Sequence, residues 1–194
     1  MLYLKDNFLP TETFNWLNEA AIRKNEYALN VAKKGNFKSV AKFYTQDKSA
    51  WDLCYADLQG SMVTPAYGIG KNIIGVIQNI KDFLGEQLQS SVPRLETAYL
   101  MYGKNSYTVP RHIDKNKTSS DYQELFNYYK AFIFCHNTWE EDWGGRLCFD
   151  SNKYLPKPNR LVIYSLNEFH WVEPITEKAT NLRMIFGVRF GAEK

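Results

Sequence analysis

Cysteine and histidine are both scarce in this chain of 194 residues, with three of each. Three cysteines (Cys54, Cys135, Cys148) cannot all pair within one chain, and no CxxC occurs, so a disulfide framework is not expected. Cys135 and Cys148 lie in apolar, strand-like runs and read as buried free thiols in a reducing compartment. No apolar run approaches the roughly 20 residues that span a bilayer, so no membrane partner is expected. The opening Met1-Leu2-Tyr3-Leu4-Lys5-Asp6 has no charged region leading into a long apolar stretch. A secretory signal is therefore not expected, and a cytoplasmic location is. Charge of one sign is not in excess: 24 Lys and Arg face 21 Asp and Glu, for a net +3. The nearest approach to a basic cluster, Lys115 and Lys117 beside Arg111, reads as a solvated loop. Nucleic acid would call for a stronger electrostatic footprint and is not the expected partner. Neither an internal repeat nor a low-complexity segment is present.

What is present suits one domain over 1–194, helix-rich over 1–95 and with a β core over 96–194. Aromatic residues make up 15 %, a high share that fits a β-rich core. In the first half, Phe14, Leu17 and Ala21 fall at helical spacings after Pro10 and a candidate cap, Thr11. A longer helix is predicted over about 71–89, with Ile73, Ile77, Ile80, Leu84 and Leu88 as its apolar stripe and Pro93 beyond its end. Around Trp51, Leu53, Tyr55 and Leu58 the pattern fits a short helix or a ragged strand equally.

The second half reads as short strands: 97–102, 109–112, 131–136, 146–149, 161–165, 169–172 and 182–190. Turn chemistry separates them, as in Gly103-Lys104-Asn105, Asp142-Trp143-Gly144-Gly145 and Pro156-Lys157-Pro158-Asn159. Many short strands with such turns indicate a sandwich or barrel. On the last strand Met184, Phe186, Val188 and Phe190 share one face, and Arg183, Ile185, Gly187 and Arg189 the other. An arginine pointing into a barrel needs an anion to meet it. Arg189, near the end of the chain, reads instead as reaching water.

His112-Ile113-Asp114 is an H-x-D. On a strand, residues i and i+2 project to the same side, so one imidazole and one carboxylate converge. A third ligand from a distant strand would complete a two-histidine, one-carboxylate face. That face leaves three positions open on an octahedral metal, the pattern of non-haem iron(II) oxygenases. A bidentate cosubstrate takes two of them and dioxygen the third. His136 follows the apolar run Phe132-Ile133-Phe134-Cys135 outside any motif and reads as structural.

Five elements in order carry a family resemblance: Asp6-Asn7-Phe8-Leu9-Pro10; Tyr99-Leu100-Met101-Tyr102-Gly103 leading to His112-Ile113-Asp114; Trp139 through Gly144-Gly145-Arg146-Leu147; Pro158 to Tyr164 leading to His170-Trp171-Val172-Glu173-Pro174-Ile175; and Arg183 on the last strand. The chain resembles the prolyl 4-hydroxylase-like branch of the iron(II)/2-oxoglutarate oxygenases. The family often has an acidic residue where Arg146 stands, and Tyr107 competes with Tyr102 for the tyrosine of its motif.

The resemblance implies a mainly β chain with N-terminal helices (α+β): a double-stranded β-helix core, jelly-roll and cupin-like, with helices packed on its major sheet. It implies iron(II) on His112, Asp114 and His170, which are also the catalytic residues. It implies 2-oxoglutarate as cosubstrate, with its far carboxylate on Arg183 and a hydrogen bond from Tyr102. Dioxygen is the oxidant, with ascorbate as a stimulating reductant. Trp143, Arg146 and Trp171 are candidates to wall the substrate pocket. The implied reaction hydroxylates an unactivated C–H bond, of a prolyl residue or another amino-acid side chain, and releases succinate and carbon dioxide. With aspartate at 114, rather than alanine or glycine, hydroxylation is favoured over halogenation. The polar segment 115–128 is a candidate lid. The substrate is a peptide, a protein or a small molecule, and nothing in the sequence reads out an oligomeric state.

Three other readings compete. Arg183 and Arg189 have the R-x5-R spacing of nucleic-acid dealkylating oxygenases of the same superfamily. A non-catalytic jelly-roll binding module would keep the fold with a vestigial site. A zinc or manganese enzyme of the cupin type would keep the fold with another metal.

Overall fold

Alternation along the last strand organises the molecule. In the computed structural model, which describes residues 2–33, 61–66, 69–104, 107–114 and 125–194, that strand is β10, Arg183–Glu193. It follows β1 (Leu2–Lys5), α1 (Thr11–Lys33), β2 (Ser61–Pro65), α2 (Ile73–Leu88), β3 (Arg94–Gly103), β4 (Val109–His112), β5 (Phe126–Phe134), a 3-10 turn (Glu141–Trp143), β6 (Leu147–Phe149), β7 (Lys153–Tyr154), β8 (Leu161–Ser165) and β9 (His170–Val172). The strands form two antiparallel sheets. The larger has six strands in the order β1-β8-β5-β10-β3-β2, and the smaller has four in the order β4-β9-β6-β7. The region around Trp51, Leu53, Cys54, Tyr55 and Leu58, and residues 115–124 of the candidate lid over 115–128, lie outside the described residues, while 126–128 at the lid's end belong to β5.

Each face of the large sheet has its own core. Met184, Phe186, Val188 and Phe190 share a cluster with Leu17 and Ala21 of α1 and Val76, Ile80 and Leu84 of α2. Burying a leucine or isoleucine this fully is worth about 1.5–3 kcal/mol, so these contacts hold the helices to the sheet. The opposite face contributes Tyr99, Phe132, Phe134, Tyr164 and Ile185 to a second cluster, which Leu147, Phe149 and Val172 of the small sheet complete. The space between the sheets is therefore lined by the odd residues of β10, as the sequence pattern predicts.

Several boundaries depart from expectation. On α2 the fully buried line is Val76, Ile80 and Leu84, with Ile77 only half-buried, because the helix presents the i, i+4 row to the sheet. β5 starts at Phe126, five residues before the predicted start at Ala131. Its polar first half is extended because it pairs with the last residues of β10. β1 and β2 draw the N-terminal half into the large sheet as edge strands beside β8 and β3. Cys135 and Cys148 are buried free thiols, as expected. Among the described residues, no helix is long and apolar enough to cross a membrane.

Candidate metal centre

β4 and β9 run side by side in the small sheet with His112 and His170 as register partners. Asp114 lies two residues past the end of β4. One ligand atom from each of these three residues falls within 4.8 Å of the others. An Asp114 oxygen lies 3.7 Å from His112 Nε2, and its other oxygen 3.7 Å from His170 Nε2. Both rings are oriented from behind. His112 Nδ1 is 2.8 Å from the Pro110 carbonyl, and His170 Nδ1 is 3.0 Å from that of Glu168. Donating from Nδ1 leaves the Nε2 lone pairs turned toward Asp114, the arrangement a metal-binding histidine needs. Burial pushes the His170 pKa down to about 4, so the ring is neutral at ordinary pH and in its ligand form. Burial opposes ionisation of Asp114 too. The neighbouring His112 ring and the Lys130 ammonium outweigh it and hold the carboxyl well below its usual range. Asp114 raises the His112 pKa, and a metal would displace the proton there, so two imidazole nitrogens and one ionised carboxylate fit a divalent transition metal.

Lys130 was not anticipated as part of this site. Its ammonium is 2.9 Å from Asp114 Oδ2, and its side chain is only 15 % exposed. The available signal was parity: on β5, Lys130 shares the inward face with Phe132 and Phe134.

Arg183 lies at the far end of the inter-sheet space. It is 1 % exposed, the largest fully buried side chain among the described residues. Its Nε donates to the Gly145 carbonyl at 2.9 Å and its guanidinium lies over Phe134, while Nη2 is buried without a partner. Gly144 and Gly145 both have positive φ (68° and 66°), which places that carbonyl, and a Cβ on Gly145 would press on Arg183 Cδ. A buried cation with an unused donor calls for an anion.

The structure corrects other expectations. Tyr102 faces the helices, and its hydroxyl donates to the Ala21 carbonyl at 2.7 Å. As the register partner of Met184 it shares the outer face, so it does not reach a cosubstrate beside Arg183. Tyr107 lies in the inter-sheet core instead, with its ring over Gly103, the register partner of Arg183. Tyr99 and Tyr164 line the same space, and the Tyr164 hydroxyl is 3.2 Å from His170 Nε2. Tyr99 lies so close over Gly187 that any side chain there would collide with it. Trp143 is core, packed edge-on against Trp139 at 5.3 Å. Arg146 belongs to a surface ladder with Glu141 and Glu173, which Lys153 extends, so its charge is engaged away from the site. Trp171 is half-buried and alternates away from the inward-facing His170 and Val172. Arg189 does not reach freely into water; its side chain is four-fifths buried. His136 is structural, as predicted: one ring nitrogen contacts the Pro156 carbonyl and the other accepts the Met184 N–H.

Two antiparallel sheets carry the His-Asp-His cluster, and the part of the sequence that holds it is similar to a known family. Residues 97–189, which hold the whole cluster and Arg183, match the 2OG-Fe(II) oxygenase superfamily. That match spans 93 of the 194 residues, just under half of the chain. Its structural neighbours include prolyl hydroxylases. The viral collagen prolyl hydroxylase of Paramecium Bursaria Chlorella virus-1, in its 2OG complex, has a TM-score of 0.62 at 15 % identity, over 100 % of this chain and 96 % of that one. A Pseudomonas putida prolyl-4-hydroxylase has a TM-score of 0.63 at 14 % identity, over 100 % and 92 %. A Trichoplax adhaerens prolyl hydroxylase, in complex with a hypoxia inducible factor peptide fragment, has a TM-score of 0.63 at 14 % identity, over 99 % and 83 %. No curated protein matches the sequence. The family implies iron(II), 2-oxoglutarate and dioxygen, and the His-Asp-His cluster is one that could bind the iron.

Proposed function

We propose that this protein is an iron(II)- and 2-oxoglutarate-dependent dioxygenase that hydroxylates an unactivated C–H bond. The observation that carries the proposal is a pairing within one inter-sheet space. His112, His170 and ionised Asp114 stand at one end, and a fully buried arginine with an unused nitrogen at the other. In this reading the two sheets form a double-stranded β-helix within a single domain. His112, Asp114 and His170 hold the iron and are the catalytic residues. Arg183 takes the far carboxylate of 2-oxoglutarate, and Tyr107, rather than Tyr102, is the tyrosine beside it. Bound iron with its keto acid supplies dioxygen activation coupled to release of succinate and carbon dioxide.

The chain's own residues do the rest. The Nδ1 contacts hold the imidazoles in one tautomer, so the ligand face needs no rearrangement on loading. Phe132, Phe149 and Tyr164 keep water from the space between the two ends. A peptide neighbour and the prolyl hydroxylase likeness support an amino-acid side chain, prolyl among them, as the carrier of the C–H bond.

The test is a visible spectrum of the anaerobic protein with iron(II) and 2-oxoglutarate. A weak metal-to-ligand charge-transfer band in the green is expected. Folded, iron-loaded protein without that band would leave a binding module or another metal chemistry in its place.

A further inference from the structure

The inward face of the large sheet carries more positive charge than the metal cluster uses. Arg189 on β10 and Lys130 on β5 are register partners. Antiparallel partners stand roughly 5 Å apart at Cα, so two cations sit side by side. Their side chains are only 20 % and 15 % exposed. Lys130 is committed to Asp114 at 2.9 Å. Arg189 is not committed in the same way. Its nearest carboxylate, Glu96, stands 3.9 Å away, outside hydrogen-bond reach. Glu96 is itself shared, with its other oxygen 3.4 Å from Arg94 and without a hydrogen bond.

Among the described residues, Lys130 is paired with Asp114, and the carboxylate beside Arg189 is the Glu96 it shares with Arg94. Iron(II) with dianionic 2-oxoglutarate adds no net charge, so loading the metal end brings Arg189 no counter-charge of its own. A largely buried guanidinium without a hydrogen bond is costly, and its planar fork matches a carboxylate through two parallel bonds. Past Arg189 the same face offers Tyr128 beside Gly191, an apolar bed for the rest of a bound molecule.

We propose that Arg189 is the receptor for a carboxylate on the substrate, with Lys130 reinforcing the local positive charge. The substrate class is then an amino acid or peptide that presents one free carboxylate close to the C–H bond that reacts. This rests on the oxygenase reading above. A nucleic acid also brings anions, but many of them, and Asp114 and Glu96 would repel all beyond the first.

The experiment uses the full chain, anaerobic, loaded with iron(II) and 2-oxoglutarate. Matched pairs of N-acetyl amino acids and their carboxamides are titrated while the green band is followed, with a methylated single-stranded oligonucleotide as a third arm. At least one acid should perturb the band with an affinity about tenfold or more above that of its amide. Arg189→Gln should abolish that preference and leave the starting band unchanged, and Arg189→Lys should retain part of the preference. The acid–amide comparison on the unaltered protein stands whether or not the variants fold. A normal band with acids and amides acting alike, or with neither acting, overturns the carboxylate receptor alone. Perturbation by the oligonucleotide but not the acids overturns it in favour of a phosphodiester. A band missing from the start overturns the oxygenase reading and this proposal with it.

Discussion

The space between the sheets has two ends, and an arginine of β10 faces each, about 20 Å apart along the strand by its residue count. At one end Arg183 is fastened: its Nε bonds the Gly145 carbonyl, its guanidinium lies over Phe134, and almost none of it meets water. At the other end Arg189 lies beside a lysine, a metal cluster and a loosely shared glutamate. A cation held in one orientation suits a partner of constant shape, such as a cosubstrate used in every turnover. A cation left without hydrogen bonds suits a partner that arrives with its own geometry. On the roles proposed above, the difference would separate recognition of the cosubstrate from recognition of the substrate along a single strand.

Removing a ligand should break the metal end most completely. His170→Ala should lower iron(II) affinity by about 100-fold or more and abolish the green band, measured by anaerobic titration. At the fastened end, Arg183→Met should reduce 2-oxoglutarate affinity by about 100-fold while iron affinity holds. The same variant should melt no lower than the parent without 2-oxoglutarate, because it removes a buried, partly unpaired cation. A large fall in melting temperature would show that Arg183 is a structural strut.

Lys130→Met should change iron(II) affinity by about tenfold, since Lys130 fixes one oxygen of a ligand and touches no metal itself. His136 gives a pH test of the frame around Arg183. Burial pushes its pKa down to about 4, from an ordinary value near 6.5. The unfolded chain therefore takes up a proton below pH 6.5 that the folded chain refuses. Stability from this group is complete above that pH and is lost as pH falls toward 4. Urea unfolding at stepped pH should show that loss, and His136→Leu should flatten it. Smallest is Tyr102→Phe, which should cost about 1 kcal/mol through the lost bond to Ala21 and leave 2-oxoglutarate affinity unchanged. A fall in that affinity would return Tyr102 to the site.

Much of this was legible in order along the chain. The two-residue period of β10 separated a helix-facing side from an inward side, and the observed clusters follow that division. H-x-D placed two ligand types on one side of a strand end. The tyrosine was not legible in the same way, because Tyr99, Tyr102 and Tyr107 are close in sequence and only strand parity tells them apart. Tyr102 falls on the Met184 side. Trp171, Arg146 and Trp143 were named through proximity to motifs, and proximity carries no direction.

By itself, the sequence determined what needs only local geometry: the alternation of β10, an apolar helix stripe that includes Ile80 and Leu84, and an imidazole and a carboxylate two residues apart. Tertiary structure alone decided which strands lie side by side. Register brought His112 opposite His170, though 58 residues separate them, and Lys130 opposite Arg189 across 59. Such pairings depend on how both faces of the sheet are covered, because a slip of one residue would turn every inward side chain outward. The ligand face and the two cations side by side next to it are therefore properties of the assembled sheets, which no segment carries alone.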